Sequence, residues 1–330
     1  MKKRVFAVLF LGSFLLTFFY STLINSWAAG EKYPSGSVDL LCGFVPGGNA
    51  DLLNRIVGKM IEKHLGVTVV PGNKPGGGGI VVASFLANSR PDGYTIAIMT
   101  PEFILQPILL GRASYALEDF SLIGQISLVT NLWVVKADSP WKTFHEFFDF
   151  AQKNPVQKYG HPGVGTATYL RAENLNKKAK LGLTNIPFKG DPENIAAVLG
   201  NHIPIAILSA MSGKAQADAG TMRILLSDGS PTAIGLDPSI PDYHSMFGHA
   251  LGETDINIPF CLWVPGKTPA QIVQVLREAL KKAAEEPEFM SLSKKNFWSV
   301  GYIDGAILTE NLPKRKSVVK QLLLDAGLLK

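Results

Sequence analysis

The run Val38-Asp-Leu-Leu-Cys-Gly-Phe-Val-Pro-Gly-Gly-Asn-Ala-Asp51, continued by an amphipathic segment from Leu52 to Leu65, decides how this chain is read. A hydrophobic strand breaks at Pro46-Gly47-Gly48, and a helix starts within three residues. Glycines at such a break let the backbone come close to a ligand and leave the first helical N–H groups without intrahelical partners. The helix dipole adds partial positive charge at the same place, which suits a carboxylate or a phosphate. No serine, cysteine or histidine lies between Gly43 and Leu53. The turn therefore reads as a place that holds an anion, not one that attacks it.

Outward from that turn, strands and helices alternate. Strand Val38–Val45 and helix Asp51–Leu65 are followed by a short strand Thr68–Val70, the glycine run Gly76–Gly79, helix Ile80–Asn88 and strand Tyr94–Met99. The middle repeats the plan. Leu128–Val135 reads as a strand, and Thr143-Phe-His-Glu146 as a capping box opening helix Phe144–Lys153. Gly163-Val-Gly-Thr-Ala-Thr168 is a second glycine turn running into helix Ala167–Lys178. Asp191-Pro192 reads as a cap and first-turn proline, and Thr268-Pro-Ala-Gln271 as another capping box. A last helix covers about Thr309–Ala326. Such alternation argues for largely parallel sheets covered on both faces. The stretch from about 262 onward holds too little strand to fold alone and reads as a return to the first half. The expected organisation is a leader over 1–28, one lobe from 29–127 and 262–330, and a second from 128–261, with crossings near 126–136 and 255–264.

The 330 residues carry a net charge of +5, with 46% hydrophobic and 18% charged residues, an ordinary globular composition. Lys2-Lys3-Arg4, the nearly uncharged run Val5–Ile24 and Ser26-Trp27-Ala28 form a secretory signal peptide cut after Ala28, with an uncleaved anchor as the alternative. Its removal deletes three cations and no acid, and the net charge falls to +2. Nucleic-acid binding thereby loses its main support. Cys42 and Cys261, each inside an apolar strand-like run, read as two separate buried thiols rather than a disulfide.

Two glycine turns in opposite lobes, both at the carboxyl ends of strands, are where open α/β sheets bind ligands. Thr166 and Thr168 serve either as hydroxyl donors there or as helix caps. Gly76–Gly79 reads first as close backbone packing, Lys189 as solvated, and His161 draws notice because it adjoins the second turn. Gly266-Lys-Thr268 lacks the first glycine of a P-loop, and Ser291-Leu-Ser-Lys294 has no companion motif. The six histidines have no metal-ligand spacing. Neither a catalytic set, a metal site nor a cofactor is expected.

The motifs Phe44-Val-Pro-Gly-Gly-Asn-Ala-Asp51, Asn73-Lys-Pro-Gly-Gly-Gly-Gly79, Pro91-Asp-Gly-Tyr94, Gly163-Val-Gly-Thr166, Pro187-Phe-Lys-Gly190 and Pro265-Gly-Lys-Thr-Pro269 occur in one order along the chain. In this the sequence resembles the tripartite tricarboxylate transporter substrate-binding family, the TctC-like or Bug-type solute receptors. The resemblance implies a type II periplasmic-binding-protein fold, two α/β lobes closing on a cleft. It also implies capture of a small carboxylate through backbone amides and ordered water for delivery to membrane permease subunits. Carried over by motif, the first-lobe loop maps to Phe44, Pro46, Gly47, Gly48, Asn49 and Asp51, the second to Gly165, Thr166, Ala167 and Thr168, with Phe188 beside it. This chain departs from the family at Asn49, where glycine is common, at Tyr169, where histidine is usual, and at Phe188, where tyrosine is common.

The expectation is a monomeric periplasmic or extracytoplasmic receptor for a di- or tricarboxylate, an acidic amino acid or an aromatic acid. A ligand-loaded partner of a membrane sensor kinase, or a periplasmic enzyme, are the alternatives.

Overall fold

Chain order alternates strands and helices as expected, but the sheets they build are mixed rather than largely parallel. The computed structural model describes residues 33–247 and 258–329, and the leader read over 1–28 lies outside them. Contacts set Met1–Ser35 apart from Gly36–Lys330, and both sheets belong to the second of these units. Among the described residues no helix is long and apolar enough to cross a membrane.

The first half runs β1 (Val38–Cys42), α1 (Asn49–Leu65), β2 (Val69–Asn73), a 3-10 turn Gly77–Gly79, α2 (Ile80–Ala87), β3 (Thr95–Met99), α3 (Glu102–Leu109) and β4 (Phe120–Val129). Next come β5 (Asn131–Lys136), α4 (Phe144–Lys153), β6 (Lys158–His161), α5 (Ala167–Lys178), β7 (Thr184–Pro187), α6 (Asp191–Leu199), β8 (Ile205–Ser209), α7 (Ala210–Asp218), β9 (Met222–Ser227) and α8 (Tyr243–Phe247). The chain closes with β10 (Ile258–Pro265), α9 (Ala270–Glu285), α10 (Pro287–Lys295), β11 (Trp298–Asp304) and α11 (Gly305–Asp325).

One sheet has the order β11-β4-β10-β3-β1-β2, the other β7-β6-β8-β5-β9. β2, β1 and β3 are parallel, while β10 runs antiparallel between β3 and β4, and β11 is antiparallel to β4. In the second sheet β7, β6 and β8 are parallel, and β5 is antiparallel to β8 and β9. The stretch read as one strand, Leu128–Val135, is two: β4 ends at Val129 in the first sheet and β5 starts at Asn131 in the second. Continuous apolar character cannot reveal such a break, because both halves are buried. β11 is not legible in the sequence at all. Its exposed Val300 and half-buried polar positions hide the alternation on which strand reading rests.

Side-chain caps start four of the helices, at Thr143, Thr166, Ser209 and Asp304. Thr143 Oγ1 accepts from the Glu146 N–H and the Glu146 carboxylate accepts from the Thr143 N–H, the capping box expected for α4. Two other caps differ. Thr268 Oγ1 donates to the Pro265 carbonyl and leaves α9 uncapped by a side chain. Gly190, not Asp191, is the N-cap of α6, and the Asp191 carboxylate turns to Ser209 instead.

Each sheet carries its own apolar core. Trp133, Phe144, Phe147 and Tyr159 lie at the centre of one, with Trp133 stacked on Tyr159 at 5.8 Å. Trp263, Phe103, Leu86 and Met99 fill the other. α11 joins both halves: Val319, Leu322 and Leu323 pack with Leu105 of α3 and with Tyr169 and Leu170 of α5.

Cys42 and Cys261 are both buried free thiols, as expected. Their strands flank β3, which pairs with each of them. Two strand spacings amount to about 9–10 Å, beyond the reach of a disulfide. Burial pushes the Cys42 thiol up to about 11 and Cys261 to about 12.

Candidate functional site

The carboxyl ends of β1, β3, β6 and β8 open onto one cavity of about 570 Å3, part of it open to solvent. Two helix N-termini, one from each sheet, reach it: Gly48, Asn49 and Ala50 of α1, and Thr166, Ala167 and Thr168 of α5. Of the residues expected from sequence, Phe44, Gly48, Asn49, Thr166, Ala167 and Thr168 line it together. Pro46, Gly47, Asp51, Gly165 and Phe188 do not.

The five absentees are placed otherwise. Asp51 closes the first turn on itself. Its carboxylate accepts from the Gly47 N–H at 3.0 Å, from Arg55 Nε at 3.0 Å and from Asn73 Nδ2 at 2.9 Å. Burial opposes its ionised form, but the bonds from Arg55, Gly47 and Asn73 outweigh it and hold its pKa below the usual carboxylate range. The Gly47 N–H is thus engaged, and Pro46 and Gly47 lie toward the surface. Gly165 approaches the other glycine run. A Cβ on Gly78, at φ +61°, would fall 1.5 Å from the Val164 carbonyl oxygen. Gly76–Gly79 therefore serves backbone packing of the first half against the second glycine turn. Phe188 packs half-buried on the apolar cluster behind β8.

Donors remain where the helices begin. The first N–H groups of any α-helix lack partners inside it, and Leu52 is the first in α1 to bond back, to Gly48. Asn49 adds a side chain. Trp298 Nε1 donates to Asn49 Oδ1 at 2.6 Å. Indole can only donate, so this bond fixes which amide atom faces it and leaves the Nδ2 group free.

At α5 the two threonines divide the roles that sequence left open. Thr166 is the cap: its hydroxyl donates to the Gly163 carbonyl and accepts from the Tyr169 N–H. Thr168 accepts from Asn131 Nδ2 at 3.1 Å, which leaves its own hydroxyl hydrogen to offer. Asn131 donates its backbone N–H and the rest of its amide to Asp228. Arg171 completes the support with an Nη1–Oδ2 distance of 3.3 Å to Asp228 and a bond to its carbonyl. Burial raises the Asp228 pKa, while Arg171 and Asn131 pull it down.

Thr100, Asn131, Asp191 and Ser209 also line the cavity, and sequence reasoning passed over them. Thr100 directly follows β3 and Ser209 ends β8. The rule that ligands sit beyond strand carboxyl ends would have found both. Thr100 is 3% exposed and its hydroxyl has no partner. Phe44, Phe103, Val129, Ile258 and Phe260 make the apolar wall. His161 stays outside. Its Nδ1 accepts from the Gly163 N–H, and its ring stacks on Tyr169 and lies tilted against Tyr159. Burial lowers its pKa to about 4, so the ring is neutral at pH 7. Tyr169 belongs to that stack and not to the lining. No group of three or more His, Cys, Asp or Glu suited to a metal occurs among the described residues.

A family profile described as tripartite tricarboxylate transporter family receptor matches residues 53–322. The chain belongs to this TctC family of receptors. It is 29% identical, over 89% of its length and 90% of the relative's, to the UPF0065 protein in the gbd 5'region of Cupriavidus necator. Its fold is that of periplasmic binding proteins. The solved structure of the periplasmic binding protein BugD superposes with a TM-score of 0.81 at 24% identity, covering 89% of this chain and 99% of that one. R. palustris Rpa4515, solved with adipate, superposes with a TM-score of 0.80 at 21% identity, covering 90% and 99%. The cavity of this TctC-family chain thus lies between two sheets of a solute-receptor fold.

Proposed function

We propose that this TctC-family chain is an extracytoplasmic receptor that captures a small organic carboxylate and presents it to permease subunits of a tripartite transporter. One observation carries the reading. Two helix N-termini from different sheets, with Asn49, Thr100 and Thr168 beside them, offer uncommitted donors to one cavity. Among the described residues that line that space there is no lysine, arginine or histidine. Dipoles and amides can hold an anion without a counter-ion. The adipate bound to the similarly folded R. palustris protein supports the same class of ligand.

In this reading the two lobes meet at crossings near 126–136 and 255–264, and the ligand favours the closed form because it touches both. The carboxylate rests on Asn49, Ala50, Ala167 and Thr168 rather than on the engaged Gly47 N–H. The leader read over 1–28 supports a receptor outside the cytoplasm. Titration calorimetry on the mature chain against organic acids tests the proposal, with neutral sugars as the counter-panel. Heat with an acid, weakened at least tenfold by Thr168→Val, is the expected outcome. Binding of a sugar and of no acid would overturn it.

A further inference from the structure

The lining of the cavity is chemically two-faced, and that narrows the ligand. On the donor side stand Asn49 Nδ2, the Thr168 hydroxyl and the unpartnered Thr100 hydroxyl, together with the first N–H groups of α1 and α5. Roughly four such donors saturate the lone pairs of one carboxylate. The acceptor is Asp191, from the second half. Asp191 is 7% exposed, and its carboxylate is held by the Ser209 hydroxyl at 2.5 Å and by the Ser209 N–H at 3.3 and 3.4 Å.

Asp191 differs from the other buried acid of this region. Asp228 has Arg171 as its cation, whereas the groups that bond Asp191 belong to Ser209 and Ser212, both neutral. A buried carboxylate with no cation is costly, and burial accordingly raises its pKa. In its ionised form it also repels a second negative charge placed in the same low-dielectric space. Much of the remaining lining is apolar, with Phe44, Phe103 and Phe260.

We infer that this cleft selects an acid with a single carboxylate, an apolar body and a hydroxyl or amino donor at the far end, and that Asp191 sets this preference against dicarboxylates. The inference rests on the carboxylate-receptor reading above and sharpens it. The carboxylate takes the donor side, the body lies along the phenylalanines, and the far donor meets Asp191.

Two matched series test it by calorimetry on the mature chain. Adipate, 6-hydroxyhexanoate, 6-aminohexanoate and hexanoate share one chain and differ at one end. Terephthalate, 4-hydroxybenzoate, 4-aminobenzoate and benzoate do the same on a ring. In at least one series the hydroxyl or amino member should bind tenfold or more tighter than both the dicarboxylate and the unsubstituted acid. Which of the two donors is preferred separates a neutral from a cationic partner for Asp191. Asp191→Asn should then improve the dicarboxylate about tenfold and weaken the amino member by a similar factor. The wild-type ranking stands as a test even if that variant folds poorly. A dicarboxylate that binds wild type best would overturn the inference while leaving the carboxylate reading intact. Silence from all eight acids, with binding of a neutral sugar, would remove both.

Discussion

Trp298 and Asn49, 249 positions apart in sequence, are joined by a 2.6 Å hydrogen bond from the indole Nε1 to the amide Oδ1. The bond ties β11, the strand invisible in the sequence, to the first residue of the helix that opens the cavity. The pair converts a backbone-only helix end into one with an oriented side-chain donor. Trp298→Phe keeps an aromatic ring and removes the donor. The amide is then free to flip, and an acceptor on a residue that is 6% exposed loses its partner. We expect a stability loss of about 1–3 kcal/mol and roughly three- to tenfold weaker acid binding, read by denaturant melts and calorimetry. Unchanged binding would deny Asn49 its role as a donor.

Gly78 touches Val164 so closely that no side chain fits, and its φ of +61° is itself unfavourable for other residues. Gly78→Ala should hold the two halves apart, lowering affinity at least tenfold and enlarging the radius of gyration of the ligand-mixed protein in solution scattering. Wild-type affinity and compactness would show that the approach of these loops is dispensable.

Arg171 is the cation that accompanies Asp228 beneath Asn131 and Thr168. Arg171→Met leaves that carboxylate buried without its charge partner. Breaking such a pair from one side typically costs about 3–5 kcal/mol, and the midpoint of urea unfolding should fall accordingly. The double variant Arg171→Met with Asp228→Asn should recover much of the loss.

His161 is neutral and buried, with its pKa brought down to about 4 by burial. In the unfolded chain its value is about 6.5. Between these values the unfolded state binds the proton and the folded state does not. This residue therefore adds stability that is present above pH 6.5 and lost as pH falls toward 4, up to about 3 kcal/mol. Asp191 and Asp228, whose pKa values burial raises, act in the opposite sense. The His161 share is read as the difference between wild type and His161→Gln across that window, and parallel pH profiles would contradict it.

Cys42 and Cys261 are buried, with pKa values pushed up to about 11 and 12. A thiol reagent at pH 8 should leave both unmodified in the native protein and label both after unfolding. Reductant should not change the melting temperature. Labelling of either thiol in the native state would contradict their burial.

Much of this fold is readable from local signals. A strand that ends in Pro-Gly-Gly before an amphipathic helix can form little except the α1 turn, because glycine freedom and helix periodicity are properties of adjacent residues. The same holds for Gly163–Thr168, for the Thr143–Glu146 box and for the order of most strands. Six of the eleven expected site residues line the cavity for this reason. The sequence could also place Asp51 and Gly165 near it, but not say what they touch.

What the sequence by itself determined was therefore the alternation of elements, the two glycine turns and the family. The tertiary structure alone decided which donors are uncommitted. Asp51 takes the Gly47 N–H, Thr166 caps its own helix, Trp298 orients Asn49, and Asp228 with Arg171 holds Asn131 under Thr168. Those choices depend on partners up to 249 residues away. A hydrogen bond has no periodicity along the chain from which it can be read; it exists only once folding brings donor and acceptor within about 3 Å. The same reason hides β11 and the role of the acid at position 191 from the sequence. One is set by its neighbour across a mixed sheet, the other by a serine at the end of the next strand.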